Sequence, residues 1–174
     1  MYIRSGNDLI KLDIYTEQFT CLRQKGVYGL FCKKDTLWVS CADGIYYYTG
    51  QGTELTFFAR VQKGFVGRAL YVDRETVWVV TRKYLVAISR EDPLRQEILL
   101  TLDKGNCILG DSSGNIWVGA WNGLYRVSPD RETTAYVSHS GMGELSDNQV
   151  RCVLEDDFKH IWVGTFKGID CYDP

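Results

Sequence analysis

The chain has 174 residues, enough for one domain that buries roughly 70% of its extended surface; at 45% hydrophobic and 24% charged, its composition is that of an ordinary globular protein. Twenty Lys and Arg against 22 Asp and Glu leave a net charge of −2, which gives no field for nucleic acid or anionic lipid, and no apolar run reaches the ~18 residues of a membrane span. Eleven Tyr, 7 Phe, 5 Trp and 17 Gly with only 3 Pro favour an all-β chain over a helical one.

The first ten residues, "MYIRSGNDLI", have no apolar h-region, so this chain shows no signal peptide. "YIRSGNDLIKLD" (2–13) reads instead as two short β runs around a tight turn, and "QFTCLR" (18–23) as a third. A four-run unit follows: "VYGLFC" (27–32), a hairpin in "TLWVSCADGIYYY" (36–48), and "ELTFFARV" (54–61). It recurs as "GRALYV" (67–72), "TVWVVTRKYLVAI" (76–88) and "EILLTL" (97–102), then as "GNCILG" (105–110), "NIWVGAWNGLYRV" (115–127) and "TAYVSH" (134–139). The chain closes on "VRCVLE" (150–155) and "HIWVGTFKGIDCY" (160–172).

Trp38, Trp78, Trp117 and Trp162 hold the same place in four hairpins, at intervals of 40, 39 and 45 residues; Tyr2 takes it in a fifth copy, 36 residues before Trp38. Gly44, Gly123 and Gly168 stand before the second run of three hairpins, where a turn with positive φ is expected; Tyr84 replaces Gly in the other. A four-stranded unit of this period is the blade of a β-propeller. The expected fold is all-β: a propeller arc of four-stranded antiparallel blades, three complete and two incomplete. With strands A to D counted outward from the axis, 1–25 is a first blade of B, C and D only. Blades follow at 26–63, 64–103 and 104–140, and 141–174 supplies A, B and C of a last one. B-C-D and A-B-C cannot merge into one blade without duplicating B and C. The expectation is an arc of a larger propeller, completed by further blades or by a second copy of the chain across open edges. One twisted sheet cannot bury both faces, so Trp38, Trp78, Trp117 and Trp162 are expected to pack blade on blade.

Catalytic signatures are sparse. There is no G-x-S-x-G, no H-E-x-x-H and no phosphate loop, and "EDD" (155–157) falls where Asp caps an A–B turn. Cys21, Cys32, Cys41, Cys107, Cys152 and Cys171 form no C-x-x-C, and His139 and His160 lie outside zinc spacing. The cysteines read as buried, unpaired small hydrophobes; no cofactor or metal is expected.

The last repeat, "LSDNQVRCVLEDDFKHIWVGTFKGIDCYDP" (145–174), resembles the two-component regulator propeller repeat, roughly L-x-x-N-x-V-x-x-I-x-x-D-x-x-G-x-I-W-V-G-T-x-x-G-L-x-x-Y. Leu145, Asn148, Val150, Val153, Asp156, Ile161, Trp162, Val163, Gly164, Thr165, Gly168 and Tyr172 match it; Lys159 departs at the turn Gly, and Ile169 replaces Leu. The third hairpin matches through Asp111, Gly114, Ile116, Trp117, Val118, Gly119, Gly123 and Leu124. There is no Trp-Asp dipeptide of WD40 repeats and no Gly-Gly of kelch, and Ser112 and Lys159 break a sialidase-type Asp box. The resemblance implies the periplasmic, extracytoplasmic sensor region of a hybrid two-component system histidine kinase of Bacteroidetes, which recognises an oligosaccharide and signals inward. Kinase and receiver motifs are absent from this sequence, and no direct membrane contact is expected.

Propellers commonly bind on the face of their B–C and D–A loops. The B–C tips are Ala42-Asp43, Arg82-Lys83, Trp121-Asn122 and Phe166-Lys167. Trp121 and Phe166 fall on turns beside an amide or a cation, a pairing that suits a sugar ring; the competing role is packing between blades or domains. Candidate ligand-binding residues are therefore Trp121, Asn122, Phe166, Lys167, Arg82 and Lys83, with the long D–A loop "HSGMGELSDNQV" (139–150) beside them. Two other readings stay open: part of a propeller carbohydrate enzyme, and a scaffold that docks a partner protein.

Overall fold

The structure, a computed structural model, describes residues 1–23, 26–50, 54–138 and 145–173. These residues form five antiparallel sheets in chain order. The first holds β1 (Tyr2–Ser5), β2 (Asp8–Leu12) and β3 (Phe19–Arg23). The second holds β4 (Val27–Lys33), β5 (Thr36–Cys41), β6 (Gly44–Tyr48) and β7 (Thr56–Ala59). The third holds β8 (Gly67–Val72), β9 (Thr76–Thr81), β10 (Tyr84–Ser89) and β11 (Gln96–Thr101). The fourth holds β12 (Cys107–Gly110), β13 (Ile116–Ala120), β14 (Gly123–Val127) and β15 (Thr133–Tyr136). The fifth holds β16 (Val150–Glu155), β17 (Ile161–Thr165) and β18 (Ile169–Tyr172). Strands pair only with sequence neighbours, as in propeller blades. The opening strands of successive sheets touch, β4 with β8, β8 with β12 and β12 with β16, so they line the inner edge of the arc.

Four apolar cores lie between the five sheets, and one alternation builds them all. On β5, Leu37, Val39 and Cys41 face the first sheet, where they meet Leu9, while Trp38 turns the other way onto Val72, Val77 and Val79 of the third sheet. Trp78 packs on Ile116 and Val118 of the fourth sheet, and Trp117 on Val150, Ile161 and Val163 of the fifth. The strand period of two puts Trp on one face and β-branched residues on the other. Three of the four interfaces are thus a large indole against an aliphatic sheet, whereas between the first and second sheets Tyr2 packs on the core instead. Trp162 departs from the expected packing: it is 40% exposed, on a face of the fifth sheet that no described residue covers.

Three of the tryptophans share a second device. Asp73, Asp111 and Asp156 each end an opening strand, accept backbone N–H groups of the following turn, and take the indole N–H of Trp78, Trp117 and Trp162 at 2.6, 2.8 and 2.8 Å. The second sheet has Lys33 at this place; its ammonium reaches the Val72 carbonyl of the next sheet at 2.9 Å.

The hairpin turns differ from the expectation of one glycine chemistry. At Gly44 (φ 158) and Gly123 (φ 134) the deciding factor is space: a Cβ would lie 2.7 Å from the Ala59 carbonyl oxygen and 2.6 Å from that of Tyr136, on the fourth strands of those sheets. Gly168 has no positive φ, and its nearest obstacle would be Ser146 Oγ at 3.5 Å, because among the described residues no further strand pairs with β18. There the turn is closed by Thr165 Oγ1, which accepts the Gly168 N–H at 3.1 Å and donates to its carbonyl. Thr81 closes the Tyr84 turn the same way, accepting the Tyr84 N–H at 2.9 Å, so a Gly is not needed there.

The cysteines also depart from expectation. All six are free, but only Cys41 is buried; Cys107 is half-buried, and Cys21, Cys32, Cys152 and Cys171 are exposed. Cys171 pairs across from Trp162 on the uncovered face of the fifth sheet, which is why burial fails there. Burial pushes the Cys41 thiol up to about 11 and the Cys107 thiol up to about 12, so neither is ionised near neutrality.

Candidate ligand-binding site

The loops between the second and third strands of the second to fifth sheets, and the β1–β2 turn of the first, share one end of the arc with the connections that lead from one sheet into the next. Backbone hydrogen bonds tie them together: the Ala42 N–H donates to the Gly26 carbonyl, Trp121 to Asp103, and Phe166 to Gln149, at 2.7, 2.8 and 3.0 Å. Each tip therefore has a fixed position beside the segment that enters its own sheet.

The structure brings Trp121 and Phe166 together through a residue that sequence reasoning missed. Arg151 lies with its guanidinium carbon 5.4 Å from the Trp121 ring centre and 5.7 Å from that of Phe166. It thus spans the tips of the fourth and fifth sheets. The ammonium of Lys104 sits 3.5 Å from the centre of the same Trp121 ring. Trp121 is half-buried under these cations, whereas Phe166 is 66% exposed. Arg151 reaches this place because the β16–β17 ladder shifts register between Val150 and Cys152, leaving Arg151 as a bulged residue. A bulge re-aims a side chain that regular pleating would send elsewhere.

The other candidate residues divide into two kinds. Asn122 is a structural tie: its Oδ1 accepts the Asp103 N–H at 3.0 Å and its Nδ2 donates to the Tyr125 hydroxyl at 2.6 Å. Lys167 pairs with Asp147 at 3.3 Å. The Gln149 N–H, then the Lys167 ammonium, hold the Asp147 carboxyl below the usual range, so this carboxyl is ionised at neutrality. Arg82 and Lys83 are exposed, and the Arg82 carbonyl accepts the Gly105 N–H at 3.2 Å, which sets this tip beside Lys104. The tip of the second sheet is closed on itself: Asp43 takes Arg23 at 2.7 Å and the Tyr46 hydroxyl at 3.0 Å. Of the long loop, residues 139–144 lie outside the described residues. No cluster of three or more metal-ligating side chains occurs among the described residues.

The Asp156–Trp162 clamp, β16, β17 and the Phe166 tip all fall within one matched stretch, since residues 144–167 match the model of the two component regulator propeller. This stretch is similar to a two-component regulator propeller repeat. No curated protein matches the chain. Among solved structures it is similar to the extracellular domain of BT4673 from B. thetaiotaomicron, described as a hybrid two component system, at 19% identity and a TM-score of 0.83 over 99% of this chain and 26% of that one. It is similar in the same way to the extracellular domain of BT3049, described likewise, at 20% identity and a TM-score of 0.75 over 96% and 25%. Virginiamycin B lyase from Staphylococcus aureus also resembles it, at 11% identity and a TM-score of 0.69 over 97% and 63%. At these identities the likeness is one of fold. The chain spans about a quarter of the length of the two extracellular domains.

Proposed function

We propose that the chain contributes a non-catalytic arc to the extracytoplasmic sensor propeller of a hybrid two-component system, where its B–C and D–A face takes part in binding an oligosaccharide. Occupancy of that face is passed to a histidine kinase elsewhere in the longer protein. The two-component regulator repeat and the extracellular domains that share the fold support the sensor reading. The observation that carries the binding reading is the gathering of Trp121 and Phe166, from the tips of two sheets, around Arg151. An exposed ring beside fixed donors suits a sugar, whose apolar face stacks while its hydroxyls take hydrogen bonds.

Calorimetric titration of the 174-residue chain with a panel of oligosaccharides tests this. Heat of binding is expected with at least one glycan, and Phe166→Ala should weaken it by roughly 3- to 10-fold, the value of one aromatic contact. Absence of heat with every glycan contradicts the binding reading. Chemical turnover of a bound glycan would contradict the non-catalytic one.

A further inference from the structure

We propose that this face selects an acidic glycan, a sugar bearing a carboxylate or a sulfate, gripped by Lys104 and Arg151 where they converge on Trp121. The proposal rests on reading the face as a glycan site and names the ligand class.

The charge distribution points there. The whole chain carries −2, yet the segments 82–83, 103–106, 121–122, 147–151 and 166–167 hold five cations and two carboxylates. One of those carboxylates, Asp147, is already paired with Lys167. Among the described residues, Arg82, Lys83, Lys104 and Arg151 form no ion pair within 4.0 Å, although the Arg151 charge, after that of Lys167, helps to hold the Asp147 carboxyl down. Unbalanced cations at one end of an otherwise acidic molecule repel one another, and an anion relieves that repulsion.

The Trp121 ring decides between an acidic and a neutral sugar. With Lys104 at 3.5 Å and Arg151 at 5.4 Å, its π-cloud is already engaged by cations. A neutral sugar could stack there only by displacing them. The ring instead pins two long side chains at fixed points, so less rotamer entropy is lost when an anion binds. Arg151 offers the planar fork that matches a carboxylate or a sulfate. Its one described hydrogen bond, Nη2 to Gln149 Oε1, is long at 3.4 Å. Phe166, open to solvent beside it, supplies the apolar platform for the sugar ring itself. Arg82 and Lys83 extend the cationic track beyond Lys104 for a longer chain.

The test titrates the full chain with three oligosaccharides of matched length: a galacturonate oligomer, a sulfated glycosaminoglycan oligomer and a neutral xylo-oligomer. Trp fluorescence and calorimetry are followed at about 0.05 M and about 0.5 M salt, across which the screening length falls from roughly 14 to 4 Å. The variants are Arg151→Gln and Lys104→Asn; Asn suits the positive φ of 49 at residue 104. Circular dichroism checks that both remain folded. At least one acidic oligomer should bind at least about 10-fold more tightly than the neutral one, weaken with salt, and lose about 10-fold in each variant, as expected for one charge-assisted contact. Neutral binding as tight as acidic binding, or acidic binding unchanged in both folded variants, overturns the acidic assignment and leaves the glycan reading standing. Silence from all three oligomers overturns both.

Discussion

Trp117 and Trp162 occupy the same place in nearly the same sequence, "IWVGA" and "IWVGT", and an Asp six residues earlier grips each indole at 2.8 Å. Yet Trp117 is 1% exposed and Trp162 is 40% exposed. Trp117 lies between Tyr136 and Tyr172 at 5.7 and 5.5 Å and under Val150, Ile161 and Val163 of the next sheet. Trp162 has Leu154 beside it, 62% exposed, and no sheet above it among the described residues. The repeat motif therefore builds the blade and orients the indole, while the neighbouring sheet supplies most of the stabilisation. Local sequence and local clamp are alike; the burial is not.

Substitution makes that comparison quantitative. Trp117→Ala removes a fully buried ring and should cost about 3–5 kcal/mol in urea denaturation, whereas Trp162→Ala should cost less than about half of that. Equal costs would mean that the clamp, not the neighbouring sheet, carries the energy. A smaller effect separates the two A–B turns. Gly114 and Lys159 hold the same place with φ of 86 and 74, a conformation glycine adopts freely and lysine does not. Lys159→Gly should therefore raise stability by about 1 kcal/mol in the same assay, and a loss would show that the Lys159 side chain contributes something its backbone strain conceals. The smallest effect is on acid stability. The Trp162 indole N–H, with the N–H groups of the turn, holds the Asp156 carboxyl down at about 2. A depressed pKa contributes stability that is present above the ordinary carboxylate value near ~4 and is lost as pH falls toward the folded value. Asp156→Asn should flatten the stability profile over that window, and an unchanged profile would refute the linkage.

The blades were legible because their signal is periodic: Trp spacing, alternating strands and hairpin turns survive in any copy. The tip residues Trp121 and Phe166 were legible as aromatics on turns. Arg151 was not, because the bulge that aims it interrupts the alternation that sequence reading relies on, and its ring partners come from tips 30 residues before and 15 after it. Lys104 was missed for a related reason: its contact with Trp121 is made between a connecting segment and the tip of the following hairpin. The open faces of Trp162 and Cys171 escaped notice because the motif reports what a residue is built to meet, not whether a neighbour is there.

The indole N–H signals of the five tryptophans offer the most direct check on the division between blade-building and ligand-binding residues. In a nitrogen–proton correlation spectrum recorded while an acidic oligosaccharide is titrated in, the Trp121 indole should shift, and those of Trp38, Trp78, Trp117 and Trp162 should stay in place. Movement of Trp162 or of the inter-sheet indoles with Trp121 unmoved would contradict the account.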